Sequence, residues 1–196
     1  MAEVGTGIRI VAVDEVPWSD VQRVFGTKGD PSTCWCQWFK LSSDEWRSAQ
    51  ASDCQAALKQ QSQRHPVPGL VAYLDDEPVG WVAVEPRSSY PRLRTTRVVT
   101  HGSSESHDDP SVWAITCFVV RVGFRRRGIS STLLGAAIGH ARANGARVLE
   151  AFPVDTAEKK ASSADLYHGV LTSFVTAGFH VVSRPQPSRP VVRLEL

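Results

Sequence analysis

Ala114-Ile115-Thr116-Cys117-Phe118-Val119-Val120 is an apolar run, and shortly after it Arg125-Arg126-Arg127-Gly128-Ile129-Ser130 opens onto Ser131-Thr132-Leu133-Leu134. The run reads as a buried strand. Leu133, Leu134, Ala137, Ile138 and Ala141 then recur as one buried helical stripe, stopped by Asn144-Gly145. A strand therefore feeds a helix through a basic, glycine-bearing turn. The first N–H groups of a helix have no internal partner, and the helix dipole adds partial positive charge there, so an anion binds readily. The guanidinium groups strengthen that cradle for a phosphate. The plainer alternative is a connection whose arginines only meet water. Three arginines fall short of the five or six like charges of a solvating tail, and Gly128 needs a reason of its own.

The segment from Arg125 to Ser130 resembles the R/Q-x-x-G-x-G/A loop of the GCN5-related N-acetyltransferases (GNAT), with Ser130 in place of the last Gly or Ala. A second stretch, Ser173-Phe174-Val175-Thr176-Ala177-Gly178-Phe179, is similar to the L-Y-x-x-x-G-F segment of the same family. The resemblance implies one α/β domain over residues 1–196, with a mixed central sheet of about seven strands flanked by helices on both faces. It also implies acetyl-CoA as acyl donor and an amine-bearing small molecule or protein as acceptor, joined by direct attack in a ternary complex. By the same resemblance, Phe118, Val119 and Val120 would meet the pantetheine arm where the motif strand parts from its neighbour. Arg125, Arg126, Arg127, Gly128, Ile129, Ser130 and Ser131 would hold the diphosphate.

Composition narrows the classes. The chain has 196 residues, 42% of them hydrophobic, enough for a single domain with a real core. Its 22 basic and 20 acidic residues leave a net charge of +2, which gives little global pull toward nucleic acid or an anionic membrane. Binding of nucleic acid through the arginine run would be steeply salt-dependent, and the balanced charge argues against it. Met1-Ala2-Glu3-Val4-Gly5 lacks a leader pattern, and no stretch approaches the ~18 apolar residues of a membrane span, so a cytoplasmic protein is expected. Cys34, Cys36, Cys54 and Cys117 show neither zinc nor C-x-x-C spacing. No metal is expected, and the thiols read as small hydrophobes packed beside Trp35, Trp38 and Phe39.

Along the chain, residues 7–13 read as a strand, Pro17-Trp18-Ser19-Asp20 starts a short helix, and 26–32 is a loop. Ser42 with Glu45 forms a capping box, with Leu41 able to staple onto Trp46, and Ser52 with Gln55 looks like another helix start. Two prolines end the helical region at His65-Pro66-Val67-Pro68-Gly69. Residues 70–74 and 79–84 form a hairpin around Asp75-Asp76-Glu77-Pro78. The polar stretch 86–110 is too long for a tight turn, so part of an acceptor pocket or a lid is expected there. Residues 147–152 form another strand, 155–166 a surface loop, and 170–177 a last helix. Two strands, 179–184 and 191–196, flank the loop Pro185-Gln186-Pro187-Ser188-Arg189-Pro190.

The chemistry needs a proton acceptor and a proton donor. A lysine-like amine has a pKa of about 10.4, so presenting it free at pH 7 costs roughly 4 to 5 kcal/mol. The developing oxyanion needs a backbone N–H, near Val119 or Val120. Two positions depart from the resemblance: the proton-donating tyrosine falls on Phe174, and a glutamate that some members carry falls on Ala114. Tyr167, just before the last helix, is the substitute donor, and Glu85, at a strand end, the candidate base; His107 and Asp109 come next. Cys117, inside an apolar strand, reads as inert packing. Trp81, Tyr90 and the aromatic cluster from Trp35 to Phe39 are candidates for an apolar pocket. Phe174 and Ala114 also suit a non-catalytic acyl-CoA-binding regulatory module. Nothing in the pattern distinguishes a monomer from a homodimer.

Overall fold

The computed structural model describes residues 7–26, 28–157 and 160–196. The leader reading of the first residues lies outside them, as do positions 27, 158 and 159. In chain order the elements are β1 (Ile8–Ala12), α1 (Trp18–Phe25), α2 (Asp30–Cys34), α3 (Ser43–Ser48), α4 (Ala51–Gln61), β2 (Gly69–Leu74) and β3 (Glu77–Pro86). Then come α5 (Arg97–Thr100), β4 (Val112–Val120), α6 (Ile129–Ala143), β5 (Val148–Ala151), α7 (Ser163–Leu166), α8 (Leu171–Thr176), β6 (His180–Gln186) and β7 (Arg189–Glu195). The strands form one sheet in the order β1-β2-β3-β4-β5-β7-β6. Only β4 and β5 run parallel, because α6 crosses between them, whereas the other neighbouring strands pair antiparallel. Among the described residues no helix is long and apolar enough to cross a membrane.

Alternation along the strands divides the core between the two faces. Leu70, Ala72, Val82, Val84 and Ile115 join Leu133, Leu134 and Ala137 of α6 on one face. Val71, Tyr73, Trp81 and Ala83 join Val21, Val24, Phe25 and Leu58 on the other. β4 changes parity within its length. The register runs Ala83 to Cys117 and then Val84 to Ile115, leaving Thr116 as an extra residue. A bulge of this kind re-aims the side chains that follow it. Trp113 and Ile115 before it and Phe118 after it therefore face α6, and Cys117 and Val119 turn to the opposite side.

Most elements follow the local signals. Ser42 and Glu45 make the reciprocal capping box that starts α3, and Asp75 and Asp76, both at positive φ, form the tight hairpin turn between β2 and β3. Inside the expected surface loop 155–166, Ser162 and Asp165 cap the short helix α7, and four further readings differ. Inside the expected loop 26–32, Asp30 and Pro31 start α2, Pro31 fitting a first helical turn where its missing N–H costs nothing. Helix α4 begins before Ser52, since the Asp53 carboxylate accepts the Gln50 N–H at 3.1 Å. The expected loop 185–190 contracts to a two-residue turn at Pro187 and Ser188 as β6 and β7 lengthen.

The fourth difference is the stretch 86–110, which is neither a lid nor loose. Tyr90, Leu93 and Val99 are buried beside Ala114, Phe152 and Val191. Beneath it Arg87 donates to Glu150 at 2.5 Å and to Ser103 at 2.6 Å, while Glu150 also accepts from Ser103 at 2.7 Å and from Arg193 at 2.9 Å. Arg87 and Glu150 side chains are 1% and 0% exposed, so the segment is held by a buried, nearly saturated ion network. Removing one charge of such a pair leaves the other buried and uncompensated, at a cost of about 3–5 kcal/mol. Glu150→Leu is expected to lose that much stability in urea unfolding, against a change within about 0.5 kcal/mol for exposed Arg47→Ala. A Glu150→Leu loss below 1 kcal/mol would show that the network does not anchor the segment.

Candidate active site

β4 and β5 pair only from Val112 with Val148 to Ile115 with Ala151. Beyond that point they part. In an antiparallel ladder successive residues turn their peptide groups to opposite sides. The Arg121 N–H bonds the Val79 carbonyl at 3.0 Å in β3, and Val119 sits opposite Trp81 in the same ladder. Val119 therefore gives its peptide groups to β3, and Phe118 and Val120 direct theirs into the gap. This corrects the expected trio: Val119 does not line the opening with its backbone.

The gap is bridged by the chain itself. The Phe118 N–H donates to the Tyr167 carbonyl at 2.6 Å, the Val154 N–H to the Gly169 carbonyl at 3.0 Å, and the Leu171 N–H to the Val154 carbonyl at 2.9 Å. His168 adds a contact from its Nδ1 to the Thr116 carbonyl at 3.1 Å. Of the edge groups on β4, the Val120 carbonyl meets the Arg125 Nε at 3.3 Å, and the Phe118 carbonyl and Val120 N–H remain.

At the end of the gap stands the basic turn. Gly128 caps α6 with φ 78°, a left-handed conformation that costs other residues about 1–2 kcal/mol, and open space lies where a Cβ would be. Ile129 and Ser130 are the first residues of α6, so their N–H groups have no carbonyl one turn earlier to bond. Ser131 and Thr132 close back on the Gly128 carbonyl at 3.0 Å each, so Ser131 brings its hydroxyl rather than its N–H. Arg125, Arg126, Arg127, Gly128 and Ser130 are exposed, whereas Ile129 is buried and anchors the turn. The Arg127 guanidinium lies 5.5 Å from the Phe124 ring centre.

On the other face of β4 a cavity of about 300 Å³ is lined by Thr116, Cys117, Val119, Tyr167 and His168, facing Asp30, Cys34, Cys36, Trp38, Phe39 and Trp46. Burial foremost, then the nearby Asp30 carboxylate, raises the Tyr167 phenol, so it stays protonated and able to donate. Burial likewise pushes the Cys34 thiol up to about 12, and a hydrogen bond with Cys117 followed by burial raises Cys36. Thiols held neutral are poor nucleophiles and poor metal ligands. Among the described residues no group of three His, Cys, Asp or Glu side chains suits a metal.

His168, passed over in the sequence, also lines the cavity. Because a carbonyl only accepts, Nδ1 must carry the proton, which leaves Nε2 with a free lone pair. Burial first, then the Arg189 charge, lowers its pKa to about 4, so the ring is neutral at pH 7. No local pattern marks it. It is the bulge at Thr116 that brings residue 168 onto β4.

Other sequence candidates lie elsewhere. Glu85 is buried in an ion pair with Lys40, in a separate polar pocket with Arg64 and His65, so it does not reach the cavity as a base. Burial foremost raises its carboxyl and the Lys40 charge opposes the rise. Asp109 accepts from Ser111 and Arg147, and it and His107 precede the far end of β4. Trp81, Tyr90 and Trp35 are core residues, so only Trp38 and Phe39 of the proposed aromatic lining face the cavity. Phe174 is buried edge-on against Phe118 and Phe179, at 6.0 and 5.1 Å between ring centres. Its ring edge lies against Gly169, and as a phenyl group it has no proton to donate.

A profile of the acetyltransferase (GNAT) family matches residues 35–169. No curated protein matches by sequence. Solved structures do share the fold. An N-acetyltransferase from Staphylococcus aureus Mu50 superposes with a TM-score of 0.57 at 12% identity, covering 96% of this chain and 98% of its own. The PaiA N-acetyltransferase of Thermoplasma acidophilum, solved with coenzyme A, gives 0.53 at 12% identity over 96% and 99%. The putative acetyltransferase YncA of Salmonella typhimurium, solved with acetyl-CoA, gives 0.53 at 14% identity over 97% and 94%.

The low pKa of His168 has a sign that can be checked. Between pH 6.5 and about 4 the unfolded chain binds a proton at this position that the folded chain refuses. Its contribution to stability is full above pH 6.5 and fades as pH falls toward 4. His168→Gln is expected to flatten that slope in urea titrations, and the wild-type ring signal should titrate near 4 by NMR; titration near 6.5 would contradict the burial described.

Proposed function

Because the chain belongs to the acetyltransferase (GNAT) family, we propose that it moves an acetyl group from acetyl-CoA to an amine of a small molecule or protein, both reactants being bound together. The observation that carries this reading is the parting of β4 from β5 beside a basic helix start. A carrier with a diphosphate at one end and an amide-rich arm needs an anion cradle followed by a strand edge with free polar groups. Both are present in that order. The same fold in proteins solved with coenzyme A and acetyl-CoA supports the choice of carrier.

In this reading the N–H groups of Ile129 and Ser130, the Ser131 hydroxyl and the side chains of Arg125, Arg126 and Arg127 hold the diphosphate. The Phe118 carbonyl and Val120 N–H receive the arm. Bound acetyl-CoA supplies a thioester carbonyl open to attack and a thiolate leaving group. The amine nitrogen forms the new bond to that carbonyl carbon as the carbon–sulfur bond breaks. His168 Nε2 takes the proton from nitrogen once attack has begun, when that nitrogen is far more acidic than a free ammonium. The Tyr167 phenol returns a proton to the departing sulfur. This replaces Glu85 by His168 and retains Tyr167.

Phe174 and Ala114 favour a second reading, a module that binds acyl-CoA without turning it over. Calorimetry with acetyl-CoA and thiol release in the presence of amines separate the two. Acyl transfer predicts saturable binding and thiol release, with Tyr167→Phe lowering kcat by about 10²-fold and Arg125→Ala raising the KM for acetyl-CoA. Saturable binding with no release on any amine would establish the module instead.

A further inference from the structure

The cavity beside β4 also bears on what the acceptor is, an inference that rests on the acyl-transfer reading above. At about 300 Å³ it stands at the small end of ligand pockets, suited to a compact molecule enclosed on several sides. Its wall opposite β4 is aromatic. Trp38 meets Trp46 edge-on, with ring centres 5.0 Å apart and planes at 86°, and Phe39 meets His168 at 5.6 Å. Arg92 lies 4.1 Å from the Trp38 ring centre, holding the indole in place. Even so, Trp38 is 42% exposed, a large apolar ring that the described side chains do not cover fully.

The polar side of the lining is sparse and has one sign. Asp30, exposed at the start of α2, is the single charged residue among the described lining residues once His168 is neutral. No Lys or Arg belongs to the described lining, and the guanidinium of Arg92 behind Trp38 is taken up by the Leu41 and Ser42 carbonyls, so an acceptor bearing phosphate or carboxylate would be desolvated without a ready partner. A polyhydroxylated body would lose most of its hydrogen bonds among rings and neutral thiols. An amine on a flat apolar body loses little, and its cationic form on approach is attracted by the carboxylate and the ring faces.

We propose that the acceptor is a small amine carried by an aromatic ring, seated against Trp38, Trp46 and Phe39 with its nitrogen toward Thr116, Tyr167 and His168. The ring supplies the binding surface and the nitrogen is delivered to the bulge end of β4. Asp30 marks the entrance.

The test compares phenethylamine with n-butylamine, two primary amines whose rates are referred to the concentration of free base because the phenyl group lowers basicity, beside spermidine and a lysine-containing peptide, using thiol release from acetyl-CoA by the full chain. Acetyl-CoA binding is measured by calorimetry on the same preparation. The expected result is a kcat/KM for phenethylamine at least about tenfold above each of the others, the scale on which apolar pockets discriminate. Trp38→Ala and the milder Trp38→Leu should both bring the phenethylamine to n-butylamine ratio toward one. A ratio near one in the wild type, or a preference for spermidine or the peptide, would overturn the aromatic acceptor. Absence of acetyl-CoA binding, or binding with no turnover of any amine, would instead bring down the acyl-transfer reading beneath it.

Discussion

The single extra residue at Thr116 organises this molecule. A strand of nine residues that kept one parity would show the same face to the same neighbours throughout. With the bulge, the first half of β4 pairs on both sides and buries Trp113 and Ile115 against α6. The second half sends Cys117 and Val119 to the cavity and leaves the edge groups of Phe118 and Val120 beyond the reach of β5. Open backbone edge and cavity lining are thus consecutive residues of one strand. Among the described residues no other element brings a helix N-terminus, an open backbone edge and an aromatic pocket within a few residues of one another.

The basic turn and the architecture were legible in the sequence because both rest on local physics. A glycine between a buried strand and an amphipathic helix, preceded by arginines, states its geometry in a few residues, and the structure places Gly128 at positive φ where that geometry needs it. The helix starts were legible wherever a side chain caps its own helix, as at Ser42. They were not at Gln50 and Asp30, where an acidic residue or a proline starts the helix without the pattern sought.

The catalytic assignments were harder, for a different reason. Glu85 sits at the end of a strand, and strand position was the only signal available; its capture by Lys40 depends on a loop far away in the chain. His168 carries no local mark, since its tautomer is set by the Thr116 carbonyl. The stretch 86–110 reads as mobile by composition, yet Arg87 and Glu150 hold it from beneath. Long-range ion pairs and single hydrogen bonds across the sheet decide these cases, and a linear pattern does not carry them. The aromatic lining fell in between. Trp38 and Phe39 were singled out together with Trp81 and Tyr90, and only the fold separates wall from core.

The bond from the Phe118 N–H to the carbonyl of Tyr167 is made by main chain on both sides. Any amino acid at position 167 can make it. The wedge between the two strands is therefore indifferent to what that residue carries, and the side chain is free to vary under other pressures. Main chain and side chain of this residue thus serve separately, so a change in what the side chain carries need not disturb the architecture that presents it.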